Sequence, residues 1–278
     1  MKIAYYTHET ITSGLFKTQV QDVLTALSKE QDNNEYTLVV YNYFWTVIKN
    51  FKLIGSLKKE LSLLKIKLCV FPILLPVKYS LTYYPYFEFL KIFFRFIILI
   101  TYKRKADIHH ARGYLLTYGL VKNNLQSVIF DMRSLWVLEN ISAGNLISDS
   151  KLTNRWFELE RKSILCSRFC VGVSKAMGDY VQRIHQEVDF KLIPISVNFD
   201  KFKFDGHSRK QIRVKQGWEK ELVMVYSGSL GLSRINLETL QSILITLKNK
   251  LPELKGIAIS EEPKQLFIDL FRRANFKE

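Results

Sequence analysis

The feature that most constrains this chain is its alternation of short apolar runs with helix-length amphipathic ones. Met1–Tyr6, Tyr36–Tyr41, Asp107–His109, Ser127–Phe130, Phe169–Val173 and Lys191–Ile193 read as short buried strands, with helical segments filling the gaps. The first helix is expected over about Phe16–Ser28. Strands that alternate with helices call for a parallel sheet covered on both faces, the doubly wound α/β class. In that class ligands meet the C-terminal ends of the strands, so the residues there carry the functional reading.

A second unit begins further on. Asn198–Trp218 is charged and poor in strand formers and reads as a linker, so the first domain is expected over residues 1–197 and the linker over 198–218. Val223-Met-Val-Tyr-Ser-Gly-Ser-Leu-Gly231 is then an apolar strand running into a glycine turn. Such a turn ahead of a helix offers bare backbone N–H groups to a phosphate. A helix over about Leu237–Lys250, a strand at Gly256–Ser260 and a helix over about Pro263–Ala274 complete a second, partial domain over 219–278.

The chain of 278 residues is long enough for two packed units, and 47% apolar content supports their cores. Its net charge of +15 points to anionic partners. The basic residues are interleaved with aromatic and apolar ones, as in Lys49–Lys67 and Lys91–Lys105, which fits an anionic membrane surface better than a nucleic-acid groove. No nucleic-acid-binding module is present, and nucleic acid is not an expected partner. The Met1-Lys-Ile-Ala-Tyr-Tyr opening reads as a strand, not a secretory leader, and three cysteines make no disulfide framework. A reducing cytoplasmic setting is therefore expected, with no metal site.

Phe87–Ile100 is too short to span a bilayer and carries Lys91 and Arg95 on one helical face. Two readings stay open: a helix packed on the sheet, or a helix lying in the membrane plane. Packing on the sheet is the commoner fate of such a helix, while Lys103, Arg104, Lys105 and the aromatics from Tyr83 to Tyr86 add weight to the second reading.

Three strand ends bring polar residues together. After the first strand come His8, Ser13 and Gly14, where glycine allows close backbone approach and Ser13 or Thr12 can cap a helix. After Asp107–His109 come His110, which can hydrogen-bond a sugar hydroxyl or polarise a leaving group, and Arg112, which can grip a phosphate or carboxylate. Phe130 is followed by Asp131, Arg133, Trp136 and Glu139. Either carboxylate can recognise hydroxyls or act as a base with Arg133 pairing one of them, and Trp136 can offer a stacking face. Nucleophilic-serine elbows, Walker loops and HExxH helices are absent, which leaves hydrolase and ATPase readings without a basis.

In order along the chain, these pieces resemble the retaining glycosyltransferases of the GT-B class, family 4. The resemblance rests on Ser13-Gly14, on Asp107, His110 and Arg112, and on the run from Phe130 to Glu139. It continues through Val173-Ser-Lys-Ala-Met177, Ile193-Pro-Ile-Ser-Val-Asn-Phe-Asp-Lys-Phe202 and Tyr226–Gly231. It implies two Rossmann-like domains, with an acceptor bound by the first and a nucleotide-diphosphate sugar by the second. It also implies transfer to a lipid-linked or saccharide acceptor at the cytoplasmic membrane face, with retention and without metal or organic cofactor. By this resemblance His110 and Asp131 are the catalytic candidates, and Ser13, Gly14, Arg112, Arg133, Trp136 and Glu139 line the acceptor side. Gly228, Ser229, Gly231 and Arg234 hold the diphosphate, with Ser229 standing where the family commonly has arginine. The family's E-x7-E grip on the donor would lie beyond Glu278, so the chain is expected to be an incomplete copy. The rival expectation is a non-catalytic acceptor- or membrane-binding half that pairs with another subunit.

Overall fold

The structure is a computed structural model that describes residues 1–31, 33–73, 84–101, 106–197, 199, 202–228, 230, 235–260 and 262–276. The chain divides into two compact units, one of residues 1–198 apart from 142–144 and one built on 199–278.

The first unit opens with β1 (Lys2–Thr7), then α1 (Gly14–Phe16), a π-helical turn over Lys17–Gln21, and α2 (Asp22–Glu30). Next come β2 (Glu35–Tyr43), α3 (Phe44–Lys49), α4 (Phe51–Leu63), β3 (Ile66–Ile73) and α5 (Tyr84–Thr101). β4 (Ile108–Arg112), α6 (Tyr114–Lys122), β5 (Val128–Met132), α7 (Trp136–Ser142) and α8 (Lys151–Cys166) follow. β6 (Phe169–Gly172), α9 (Lys175–Ile184) and β7 (Phe190–Leu192) close the unit.

All seven strands pair in parallel in the order β3-β2-β1-β4-β5-β6-β7. The order reverses direction between β1 and β4, which creates a crevice at their C-terminal ends. Strand alternation sends Ala4, Tyr6, Val39, Tyr41 and Phe130 to one face, where α5, α6 and α8 bury them. Tyr5, Leu38, Val40, Ile66 and Leu68 face the other way, onto Phe16, Val20, Leu24, Leu57 and Leu61. Both faces are thus covered, as the sequence pattern predicts for a parallel sheet.

One strand escapes the sequence pattern. β3 carries Lys67 and Pro72, which weaken its apolar run, and it lies at the sheet edge where a proline costs no ladder bond on the open side.

Helix α5 has two unlike faces. Phe87, Leu90, Phe94 and Ile98 pack into the core, while Phe89, Ile92, Phe96 and Leu99 are exposed. Lys91 is tied to Glu88 at 2.8 Å and lies over the Phe87 ring, so its charge is already engaged. Among the described residues no helix is long and apolar enough to cross a membrane. Tyr83 and Lys103–Lys105 lie outside the described residues.

In the second unit α10 (Gly206–Gln216) precedes β8 (Val223–Ser227), α11 (Leu237–Lys250), β9 (Lys255–Ile259) and α12 (Lys264–Arg273). Residues 206–216, read from sequence as linker, are therefore helical. Asp205 caps the helix through the His207 N–H, and Gly217 ends it in the left-handed region at φ 65°. β8 and β9 pair in parallel, and one side of this ribbon packs on Leu240, Leu244, Phe267 and Leu270. Leu222, Val225 and Ile259 are exposed.

Candidate functional site

Sheet register, not sequence proximity, assembles the site. Tyr5 of β1 stands beside His110 of β4, and Arg112 of β4 stands beside Asp131 of β5. Their side chains meet at the C-terminal strand ends next to the switch point.

Asp131 is the centre. It is buried, and its Oδ2 accepts from the Tyr5 hydroxyl at 3.3 Å and lies 3.2 Å from His110 Nε2. Its Oδ1 accepts from Arg133 Nη1 at 3.3 Å, and Arg112 Nη1 is 3.9 Å from Oδ2. Burial alone would push the carboxyl up. The His110 hydrogen bond and charge, with the Arg133 and Arg112 guanidiniums, outweigh burial and hold Asp131 below the usual carboxylate range. An ionised carboxylate can only accept, so His110 Nε2 is the donor in this contact. Asp131 is thus engaged by three protein hydrogen bonds and is buried, while His110 beside it is partly exposed.

His110 also stacks on the Tyr5 ring, with centroids 4.5 Å apart and planes inclined by 23°. Burial and the Asp131 charge raise the Tyr5 pKa, so its hydroxyl stays a donor to Asp131. The neighbouring His109 plays a different part. It is buried against the Tyr6 hydroxyl at 3.2 Å, and burial lowers its pKa to about 4, which keeps it neutral.

The two arginines are held by residues that the sequence reading did not select. Gln19 Oε1 accepts from Arg112 Nη2 at 2.7 Å and from Arg133 Nη2 at 2.9 Å. Glu9 accepts from Arg112 Nε at 3.2 Å. Gln19 lies in the π-helical turn, a local widening of helix geometry that recurs at functional sites. The π-turn itself leaves little trace in a sequence.

Ser13 caps α1 by accepting from the Phe16 N–H at 3.1 Å. Gly14 is exposed, and a side chain there would meet nothing within 4 Å. Its lack of a Cβ therefore has no internal packing cause. Gly113 is different. It follows Arg112 at φ 97°, and a Cβ there would lie 3.2 Å from the His8 ring, so conformation and space both require glycine.

The loop after β5 is fixed by Tyr114, whose hydroxyl donates to the Ser134 carbonyl at 2.8 Å and accepts from the Trp136 N–H at 3.3 Å. Behind it, buried Glu160 accepts from Tyr180, and burial pushes the Glu160 carboxyl up. The Trp136 ring packs on Trp156 at 4.4 Å, half-buried, so its stacking partner is a protein ring. Glu139 is exposed on α7, and Arg133 pairs with Asp131 in its place.

In the second unit Gly228 follows β8 at φ 146°, a conformation that selects glycine, and its N–H donates to the Ile259 carbonyl at 3.1 Å. Ser229, Gly231 and Arg234 lie outside the described residues. Among the described residues no cluster of histidine, cysteine, aspartate and glutamate could hold a metal ion.

Neither a family model nor a curated protein matches the sequence. Solved structures do match in fold. Sucrose-phosphate synthase from Thermosynechococcus elongatus aligns at a TM-score of 0.62 with 10% identity, over 99% of this chain and 68% of that one. Anabaena Alr3699/HepE in complex with UDP-glucose aligns at 0.56 with 12% identity, over 98% and 65%. A putative UDP-N-acetylglucosamine 2-epimerase from Listeria monocytogenes aligns at 0.57 with 8% identity, over 100% and 67%. The last carries an epimerase name, so the fold by itself does not choose a reaction. At these identities the likeness is one of architecture: an α/β chain of Rossmann-like GT-B type that spans about two thirds of the length of the structures it matches.

Proposed function

We propose that this protein is a glycosyltransferase of the retaining, family 4 type, with a nucleotide-diphosphate sugar as donor. Its acceptor is a lipid-linked or polysaccharide-precursor saccharide at the cytoplasmic membrane face. The observation that carries the reading is the His110–Asp131 pair at the β1/β4 switch point, clamped by Arg112 and Arg133. The complex of HepE with UDP-glucose, on the same architecture, supports a nucleotide sugar as the donor. The exposed apolar stripe on α5, with Arg95 beside it, supports the membrane setting.

In this mechanism His110 Nδ1 binds a sugar hydroxyl and takes up proton density from it. Ionised Asp131 stabilises the imidazolium character that develops, as a carboxylate does behind any catalytic imidazole. Arg112 and Arg133 keep Asp131 ionised. Electrostatic stabilisation of the departing diphosphate is the main catalytic contribution. No metal or organic cofactor takes part.

A titration of the full chain with UDP-, GDP-, dTDP- and ADP-sugars by calorimetry tests the reading. Saturable binding of one of them is expected. No heat from any of them at millimolar concentration would overturn it.

One observation favours a second reading. In the second unit the exposed Leu222, Val225 and Ile259 leave apolar ribbon surface for a partner to cover. On that reading the chain is a non-catalytic acceptor- or membrane-binding half of a larger assembly. Sugar binding without any turnover, together with a stable complex of defined stoichiometry, would decide for it.

A further inference from the structure

The first unit contains a groove of about 880 Å³ at the end of the sheet opposite the His110 site. Its floor is the face of β1–β3 that carries Ala4, Tyr6, Val39 and Phe71, and Ile100 of α5 forms one wall. Register sets Cys69 beside Val39 and Lys67 beside Thr37, so the floor grades from apolar to basic along β3. Lys2, Lys65 and Lys67 stand on the rim against one carboxylate, Glu35. The geometry points to a site for a single acyl chain of an anionic lipid.

Three observations argue for that occupant. The apolar floor is recessed from bulk water. The rim has three lysines to one glutamate, which favours a lipid with an anionic head. The wall residue Ile100 is continuous with the exposed α5 residues Phe96 and Leu99. A membrane lying on that stripe therefore has its hydrocarbon at the mouth of the groove. A chain that enters leaves its head group among the lysines. The inference rests on the membrane part of the proposed function. It is independent of the reaction, because the groove lies at the N-terminal strand ends.

Cys69 is a built-in reporter. It is partly exposed on the groove floor, Cys170 is buried, and Cys166 is exposed elsewhere on the unit. In a full-length Cys166→Ser protein, maleimide labelling of Cys69 is measured with phosphatidylglycerol vesicles, with phosphatidylcholine vesicles and with inorganic phosphate. Sedimentation of the protein is read in parallel. Phosphatidylglycerol is expected to pellet the protein and slow labelling, while phosphatidylcholine and phosphate leave labelling unchanged. The triple variant Lys2→Gln, Lys65→Gln, Lys67→Gln is expected to bind about 100-fold more weakly, since each basic residue near an anionic surface contributes separately. The matched variant Lys52→Gln, Lys58→Gln, Lys59→Gln, on α4, is expected to keep the protection of Cys69.

Pelleting with an unchanged labelling rate would overturn the groove and leave the membrane setting standing. Protection by phosphate alone would replace the lipid with a small anion and overturn the proposal. Failure to pellet, with labelling unchanged, would overturn both the groove and the membrane setting, while sugar binding in calorimetry would still be read separately.

Discussion

The Tyr5 ring lies nearly flat on the His110 imidazole, 4.5 Å away, while its hydroxyl reaches past it to Asp131. One residue thus restrains both members of the pair. Tyr5→Phe keeps the stack and loses one hydrogen bond, which should cost about 0.5–1.5 kcal/mol of stability and little activity. Tyr5→Ala removes the stack as well. Its effect on sugar transfer or nucleotide-sugar hydrolysis should reach about 100-fold, the order expected when a reacting group shifts by an ångström. Urea unfolding and turnover measured on the same preparations separate the two effects. Equal loss of activity in both variants would show that the hydroxyl, not the stack, orients His110.

Asp131 gives an acid-sensitive element of stability. Its folded pKa lies below the ordinary aspartate value of 3.8, so its stabilising contribution is complete above pH 3.8 and is lost as pH falls through the lower, folded value. Asp131→Asn removes the counter-charge of two arginines. It should cost about 3–5 kcal/mol at neutral pH, the range for breaking a buried pair. Below pH 3.8 the gap between wild type and variant should narrow. A gap independent of pH in urea titrations would mean that Asp131 is not ionised in the folded protein.

Glu160 has the opposite sign. Burial raises its pKa above 4.5, so the folded state holds its proton more tightly than the unfolded state does. The stability this contributes is complete below pH 4.5 and is lost as pH rises through the folded value. Glu160→Gln cannot ionise, and it should gain on wild type progressively above pH 4.5. Melting temperatures of both proteins from pH 4 to pH 8 check the trend. A difference that stays flat across that range would mean that burial does not raise the Glu160 carboxyl.

Much of the fold was legible because β1, β2, β5 and β6 are short apolar runs; β4 carries two histidines, and β7, expected to be buried, is largely exposed at the sheet edge. β3 did not stand out, since Lys67 and Pro72 interrupt it and only its edge position makes them tolerable. The site was half legible. His110, Arg112, Asp131 and Arg133 cluster within two short strand ends, so their proximity is visible locally. Gln19 and Glu9 are 93 and 103 residues from Arg112 and meet it only through sheet order. Tyr5 looked like an ordinary strand residue, and its site role follows from the Tyr5–His110 register alone. Glu160 lies in a charged amphipathic helix, where nothing local distinguishes the buried carboxylate from exposed Glu158.

Gly119 shows how closely the two-faced helix α5 is seated. It lies within α6, and a Cβ there would fall 2.5 Å from Ile98 Cδ1 and 3.1 Å from the Phe94 carbonyl oxygen of α5. Alanine is the better helix former by about 1 kcal/mol, so on an open surface Gly119→Ala would stabilise. Here the methyl group meets backbone on one side and a buried side chain on the other. The overpacking penalty of about 1–3 kcal/mol should exceed the propensity gain. The Ile98 methyl can rotate away, whereas the Phe94 carbonyl is fixed by its helix, so part of the cost remains even with Ile98→Val. We expect Gly119→Ala to lower the urea midpoint and Gly119→Ala/Ile98→Val to recover part of the loss. An increase in the midpoint for the single variant would show that α5 can lift from α6 without cost, and that its packed face contributes little to the first unit.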